Sequence, residues 1–432
     1  MRYAIALLIA VAALPFSARG GADALGDYVR KADPSFAWKQ IEQRDTNGCT
    51  TTRLELTSQT WRGAAWQHQL LVVRPPQVRN PDIAFLFITG DGDVAKMFNL
   101  LKTLAERAGA VAAAINRVPN QPLYDGRKED ALIAYTFDQF LKTGDAEWPL
   151  LFPMTKSAVR AMDAVQAFTS QGGGTKPTRF VVAGASKRGW TTWLTAAADP
   201  RVAGIAPMVI DMLNMKAQTK WAEQVYGRQS EKIGDYTNLK LVERMDDPRM
   251  IELRGYVDPY SYRTRYTIPK LLLLGTNDPY WTVDSLRHYW NDLPEPKLVF
   301  QTPNAGHDLA GGKDATQTLA AFYQMIADKE ELPKVTWTRT EANSPTIEMT
   351  VAPVAKAFRL WTADSPDRDL RNDRWSSVAI PSNPGHTASA KIERPADGYR
   401  AYLMEAEFVT KSGQTYRLST EARVTPDVTP KP

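Results

Sequence analysis

Residues Arg179–Pro200 read RFVVAGASKRGWTTWLTAAADP, and this stretch decides the fold. An apolar run enters a turn of small residues, Gly184, Ala185 and Ser186, and leaves along a segment of helical character. A serine between Gly184 and Gly189 on a strand-to-helix turn is the pattern of a nucleophile elbow. Such a turn lifts the hydroxyl clear of the chain and aims nearby N–H groups at a reacting oxygen. The elbow reads G-A-S-K-R-G rather than G-x-S-x-G, so Arg188 stands where a small residue usually lets the helix approach the strand. Gly189 is expected to give that clearance one position later. Three readings of Lys187 and Arg188 stay open: salt-bridged or solvated bases, contacts to an anionic substrate, or, for Lys187, an added donor at the oxyanion site.

Working outward, Ile83–Ile88 (IAFLFI) is a short buried strand followed by a Gly-rich turn and a helical pattern reaching Gly109. A second apolar run, AVAAAI, ends in a Pro-rich loop, and helical regions over Glu129–Thr143 and Thr155–Ser170 lead back to the elbow strand. Upstream, CTTTRLELTSQTWRG and AAWQHQLLVVRPP read as an antiparallel pair. Downstream, RVAGIAPMVIDMLN and KLLLLG are further strands, separated by a polar, aromatic-rich insertion over about residues 211–266 that reads as a cap. A helix over Val283–Asn291, the strand KLVFQT and a helix over Asp314–Lys329 close this part. Alternating strands and helices argue for a largely parallel sheet covered on both faces, and the order is that of an α/β-hydrolase fold spanning residues 25–333. From Lys334 the texture changes to short alternating strands, read as a small β-sandwich over residues 334–426.

The partners that Ser186 needs can be sought among few residues. Only 4 histidines occur, His68, His288, His307 and His386. His307 lies in the loop after a sheet strand, where a doubly wound sheet presents its functional groups. His68 reads as a structural strand residue, His288 falls in the expected helix, and His386 belongs to the sandwich. The acid follows its own strand in Leu274-Gly275-Thr276-Asn277-Asp278. The chain order Ser186, Asp278, His307 is the serine–acid–histidine order of α/β-hydrolases. In that arrangement Ser186 attacks an acyl carbon, His307 takes and returns its proton, and Asp278 fixes the imidazole tautomer. The backbone N–H groups of Lys187 and Asp91 are the expected oxyanion donors.

Composition sets the remaining bounds. The 432 residues are 43% apolar and 23% charged, with 12 Trp and 16 Tyr, which is the make-up of a folded, enzyme-sized protein. The charge of +5 falls to +3 if Arg2 and Arg19 leave with an N-terminal segment, and the bases are scattered, so no nucleic-acid partner is indicated. Residues 1–22 have a basic start, an apolar run of about 13 residues and small residues before Ala22, which reads as a cleaved signal peptide. That run is shorter than the roughly 20 residues of a membrane span, so a secreted or periplasmic protein without a span is expected. Cys49 is the single cysteine, so no internal disulfide forms. No residue cluster has metal-ligand spacing and no Gly-rich loop has a nucleotide context, so neither metal nor cofactor is expected; Thr89–Asp93 resembles the start of a calcium loop but lacks its distal glutamate.

The segments YVRKADPSFAWK, GASKRGWTTWL, DPYSYRTRYTIPKLLLLGTNDPYW and PNAGHDL resemble the PhoPQ-activated pathogenicity-related protein family. The resemblance implies an exported α/β-hydrolase-like protein, tied in some enterobacteria to a two-component regulon and to tolerance of host defence peptides. It also implies triad positions at Ser186, Asp278 and His307, and names no substrate. Two functions stand at this stage: a serine hydrolase acting on a small-molecule ester or a peptide, and a catalytically silent binding or signalling protein that keeps the fold. Trp221, Tyr226, Tyr236, Tyr260 and Tyr262 in the insertion either line a pocket for something flat or apolar or pack the insertion itself.

Overall fold

A computed structural model describes residues 21–340, 345–383 and 385–430; most of the signal peptide read over residues 1–22 lies outside the described residues. Nine strands form one mixed sheet: β1 (Ala37–Thr46), β2 (Cys49–Trp61), β3 (Ala64–Arg74), β4 (Ile83–Ile88), β5 (Val111–Ile115), β6 (Arg179–Ala185), β7 (Val202–Met208), β8 (Lys270–Gly275) and β9 (Lys297–Thr302). Their order across the sheet is β1-β2-β3-β5-β4-β6-β7-β8-β9. The pairs from β1 to β5 are antiparallel. From β5 to β9 every pair is parallel.

Why the sheet is covered on both faces is visible in β4. Its side chains alternate, as a pleated strand requires. Ala84, Leu86 and Ile88 join one hydrophobic cluster and Ile83, Phe85 and Phe87 the other. The first face is covered by α1 (Gly21–Arg30), α4 (Leu151–Thr169) and α5 (Lys187–Ala198), and the second by α2 (Phe98–Ala108) and α9 (Lys313–Ala327), with α3 (Glu129–Thr143) joining the first cluster. Parallel pairing of Ile88 with Gly184, Ala185 with Met208 and Gly275 with Thr302 brings the ends of β4, β6, β7, β8 and β9 to one edge.

The segment between β7 and β8 is helical, with α6 (Met215–Tyr226), α7 (Gly234–Thr237) and α8 (Pro248–Val257) joined by 3-10 turns. One strand adds to the sequence reading and one expected helix needs correction. Strand β1 occupies residues for which no strand was expected; apart from half-buried Trp38, Glu42 and Thr46 it is exposed, with Ile41 itself on the surface, so it shows no apolar alternation. The helix expected over Val283–Asn291 is two 3-10 turns, Ser285–His288 and Trp290–Asp292. Side chains here are pulled in different directions: buried Asp284 binds Arg287 and Arg368, Tyr289 binds Asp211, and Trp290 stacks on Trp337. His288 therefore ends a 3-10 turn rather than sitting in a helix.

Beyond α9 the described residues form two antiparallel sheets. One, ordered β10-β11-β15-β14, contains β10 (Lys334–Arg339), β11 (Thr346–Ala352), β14 (Ser382–Asn383) and β15 (Thr387–Lys391). The other, ordered β13-β12-β16-β17 with β18 on β16, contains β12 (Ala357–Ser365), β13 (Ser376–Ile380), β16 (Tyr399–Val409), β17 (Thr415–Ser419) and β18 (Arg423–Thr425). Ile347, Met349 and Val351 of the first and Phe358, Met404 and Phe408 of the second lie in one cluster with residues of α9, so this region is continuous with the core of the large sheet.

Candidate active site

Ser186 sits where β6 turns into α5, with φ 57° and ψ −129°. A positive φ is costly for a residue with a side chain, and it persists here because the surroundings fix it. The Ser186 N–H donates to Met208 O at 2.8 Å, and its carbonyl accepts from Trp190 N at 3.0 Å. Clearance comes from two glycines. A β-carbon at Gly184 would stand 2.6 Å from Arg188 O, and one at Gly189 would stand 2.7 Å from Ile210 Cγ2 and 2.9 Å from Gly184 O. The position-188 irregularity is thus absorbed as expected, by Gly189.

Lys187 and Arg188 point away from open solvent, their side chains only 9% and 11% exposed. Arg188 grips the Glu129 carboxylate with both Nη atoms at 2.7 Å and donates from Nε to Val118 O at 2.5 Å. Lys187 Nζ lies 3.0 Å from Glu129 and 3.1 Å from Asp130. Asp130 also accepts from Tyr236 Oη at 3.0 Å. Burial works against ionisation of Glu129, but the hydrogen bonds and charge of Arg188, aided by Lys187, outweigh it and hold that carboxyl at about 2. Of the three readings, the structure has both bases salt-bridged.

The turn after β4 is drawn into the same network. A β-carbon at Gly90 would collide with the Arg188 guanidinium, so the two pack directly. Gln121 donates to Asp91 Oδ2 at 2.9 Å and to Glu129 Oε1 at 2.6 Å. Asp93 caps the next turn by accepting from Ala95 N at 2.9 Å. Both acidic side chains of this turn, Asp91 and Asp93, are therefore engaged in hydrogen bonds. The Lys187 N–H belongs to the first turn of α5, where a helix leaves its N–H groups unpaired.

Asp278 and His307 meet: the Nδ1–Oδ2 distance is 2.8 Å, and Asp278 is 5% exposed. Asp278 Oδ1 accepts from Tyr280 N at 3.0 Å, and the Tyr280 ring stacks on the imidazole at 4.4 Å. His307 Nε2 is buried and makes no hydrogen bond to the Ser186 hydroxyl or to any other group among the described residues. Apo sites commonly hold this bond open and tighten it on binding substrate. Ser186 and Tyr280, the residue stacked on His307, line one apolar pocket.

The loops carrying Asp278 and His307 are knitted together. Asn277 N donates to Ala305 O at 2.9 Å and Asn304 N to Thr276 Oγ1 at 3.0 Å, while Gly275 has no room for a β-carbon beside the carbonyls of Ala305 and Gly306. The segment between β12 and β13 then braces both. Asn277 Nδ2 donates to the carbonyls of Leu370, Arg371 and Asp373 at 3.1, 3.3 and 2.7 Å. Asn304 donates to Trp375 O at 2.9 Å and accepts from Trp375 N at 2.7 Å. Nearby, Asp284 is completely buried and held at about 2, because Arg368 and Arg287 overcome the cost of its burial.

The other histidines lie outside this arrangement. His68 is buried in β3, bonded to Ser58 Oγ and to Asn116 O, both at 2.9 Å. Burial lowers it to about 4, which fits its reading as a structural residue. His288 is lowered to about 4, chiefly by burial. His386 Nδ1 is 3.1 Å from Val351 O in the C-terminal sheets.

Sequence reasoning missed the roles of Glu129, Asn277, Asn304 and Asp211. Asp211 follows β7, is buried, and accepts from Tyr289 Oη at 2.6 Å. Burial, reinforced by the charges of Asp278, Asp284 and Glu421 against the Tyr289 bond, raises it to about 8. The asparagines flank the acid and base in loops, and that position was their available signal. Among the described residues no group of three or more His, Cys, Asp or Glu is placed to hold a metal ion. Nor is any helix among them long and apolar enough to cross a membrane.

The chain belongs to the PhoPQ-activated pathogenicity-related protein family, whose sequence profile matches residues 25–371. It is also 32% identical over 472 aligned residues to autocrine proliferation repressor protein A of Dictyostelium discoideum, with 99% of this chain and 94% of that protein covered. Among solved structures, an acetyl xylan esterase from Paenibacillus sp. R4 covers 70% of this chain and 92% of its own at 14% identity and a TM-score of 0.49. Acetyl xylan esterase 1 from Thermoanaerobacterium sp. JW/SL YS485 covers 69% and 91% at 18% identity and a TM-score of 0.47.

Proposed function

We propose that this protein is an exported serine hydrolase that cleaves acyl esters through an acyl-enzyme on Ser186. It is read as an α/β-hydrolase fold over residues 25–333, with residues 211–266 as a cap and residues 334–426 as a β-sandwich. Ser186 Oγ attacks the acyl carbon and passes its proton to His307 Nε2, while Asp278 holds Nδ1–H and stabilises the imidazolium. Negative charge on the acyl oxygen is met by the N–H groups of Lys187 and Asp91. Collapse of the tetrahedral intermediate breaks the bond to the leaving alcohol, which takes the proton from His307; water then repeats the sequence and frees the acid. No metal or cofactor is called for in these steps.

The observation that supports the reading most is the 2.8 Å contact between His307 Nδ1 and Asp278, on loops at the same sheet edge as the strained Ser186. A fluorophosphonate probe, with the modified peptide located by mass spectrometry, tests it. Labelling of Ser186 that disappears in Ser186→Ala is expected, and folded protein left unlabelled would overturn it. A second reading, a silent binding or signalling protein, has two supports: the open His307 Nε2 and the growth-repressor name of the Dictyostelium relative. A biological effect undiminished in Ser186→Ala would favour it.

A further inference from the structure

Beside Ser186 lies a pocket between α3, α5 and the segment that follows β7, closed over by α6 and α8. Its wall includes half-buried Ser186, fully buried Phe137, Met250 and Leu253, and the buried methionines Met212 and Met245. The polar side chains in this wall are mostly engaged. Asp130 is paired with Lys187 and Tyr236, and Gln218 donates to the carbonyls of Leu213 and Ser285 at 3.2 and 3.1 Å. Two donors, Arg254 Nε and Trp281 Nε1, have no acceptor. A sugar or a peptide group entering here would bury several donors and acceptors against that meagre supply, which is unfavourable. A hydrocarbon loses nothing by entering, and methionine side chains adapt readily to its shape.

We infer that this pocket is the acyl subsite and that the acids released are short and aliphatic, about five carbons long. The inference rests on the hydrolase reading and names its substrate class. Size sets the chain length. The cavity is about 100 Å³. An apolar cavity of about 150 Å³ takes benzene, so about four carbons fit beyond the carbonyl. Acetyl leaves most of the space empty, and chains much longer than pentanoyl exceed the volume enclosed by a wall that includes Met250 and Leu253. Each methylene that enters should raise kcat/KM roughly fourfold.

The test is a p-nitrophenyl ester series from acetate to dodecanoate on the full chain. A rise of roughly 60-fold in kcat/KM from acetate to pentanoate, then a fall beyond hexanoate, is expected. A flat profile or a maximum at acetate would overturn the acyl subsite while leaving Ser186 chemistry intact. Met250→Ala, checked for folding by its thermal transition, should move the maximum to longer chains. Binding of pentanamide against acetamide, followed by nuclear magnetic resonance, needs no catalysis. Tighter binding of pentanamide is expected even if Ser186 proves silent, and equal binding would overturn the pocket assignment by itself.

Discussion

Around Ser186 the protein uses charge, with Arg188 and Lys187 buried against Glu129 and Asp130 and the Gly90 turn clamped beneath the guanidinium. Around Asp278 and His307 it uses neutral amides, with Asn277 and Asn304 bonded to backbone of the segment between β12 and β13. The contrast has a physical logic. Charged groups that close to the imidazole would shift the proton affinity on which general-base catalysis depends, whereas amides fix position without adding charge. On the Ser186 side the donors proposed for the oxyanion are backbone N–H groups that do not titrate, so a strong network is harmless there. The two braces also differ in reach: one lies within the large sheet and its helices, the other crosses to the C-terminal sheets.

The largest effect should come where the neutral side meets the chemistry. Asp278→Asn keeps the shape but presents the wrong hydrogen-bond partner to Nδ1, and kcat should fall about 10⁴-fold. Next is the charged side. Glu129→Ala leaves two buried bases without their shared partner and should lower unfolding free energy by about 2 kcal/mol in urea titration, a value reduced for the partial exposure of Glu129. A loss near zero would show that the network does not hold the elbow. Smaller still, Asn277→Ala combined with Asn304→Ala should cut kcat about tenfold with KM little changed, as the acid and base drift from their alignment. An equal rise in KM and no change in kcat would mean that the C-terminal brace merely supports the fold.

Individual buried carboxyls respond to pH in opposite directions. Glu129 at about 2 lies below its unfolded value, so its stabilisation is present above the ordinary carboxylate range and is lost as pH falls toward 2. Asp211 at about 8 lies above its unfolded value, so the stability it confers is complete in acid and is lost as pH rises from about 4 through 8. Asp258 at about 6 and Glu405 at about 7, both raised mainly by burial, act in the same sense as Asp211. Asp211→Asn should therefore flatten the decline in melting temperature between pH 5 and pH 8 without abolishing it. The change approaches one proton, about 1.4 kcal/mol per pH unit. An unchanged slope would place Asp211 in its charged form throughout.

Much of this was legible in the chain. The strand-turn-helix of Arg179–Ala198 and the strands KLLLLG and KLVFQT carry strong local patterns, and the acid and base follow their strands directly. What stayed hidden depends on partners distant in sequence. Arg188 finds Glu129 across 59 residues, and Asn277 finds Asp373 across 96. Strand β1 pairs with β2 by backbone bonds that leave no apolar stripe, so hydrophobic periodicity could not reveal it. The turns over Ser285–Asp292 replace a helix because Asp284 is committed to Arg368, a residue 84 positions away. Long-range polar contacts override local propensity in each case.

The central claim, that both sides converge on one reacting centre at Ser186, is tested most directly by a crystal structure of the protein after reaction with a butylphosphonate ester. The account predicts a covalent bond from Ser186 Oγ to phosphorus and a phosphonyl oxygen about 3 Å from the N–H groups of Lys187 and Asp91. His307 Nε2 should lie within hydrogen-bond reach of Oγ. Unmodified Ser186 in folded protein, or an adduct from which the His307–Asp278 pair stands apart, would contradict it.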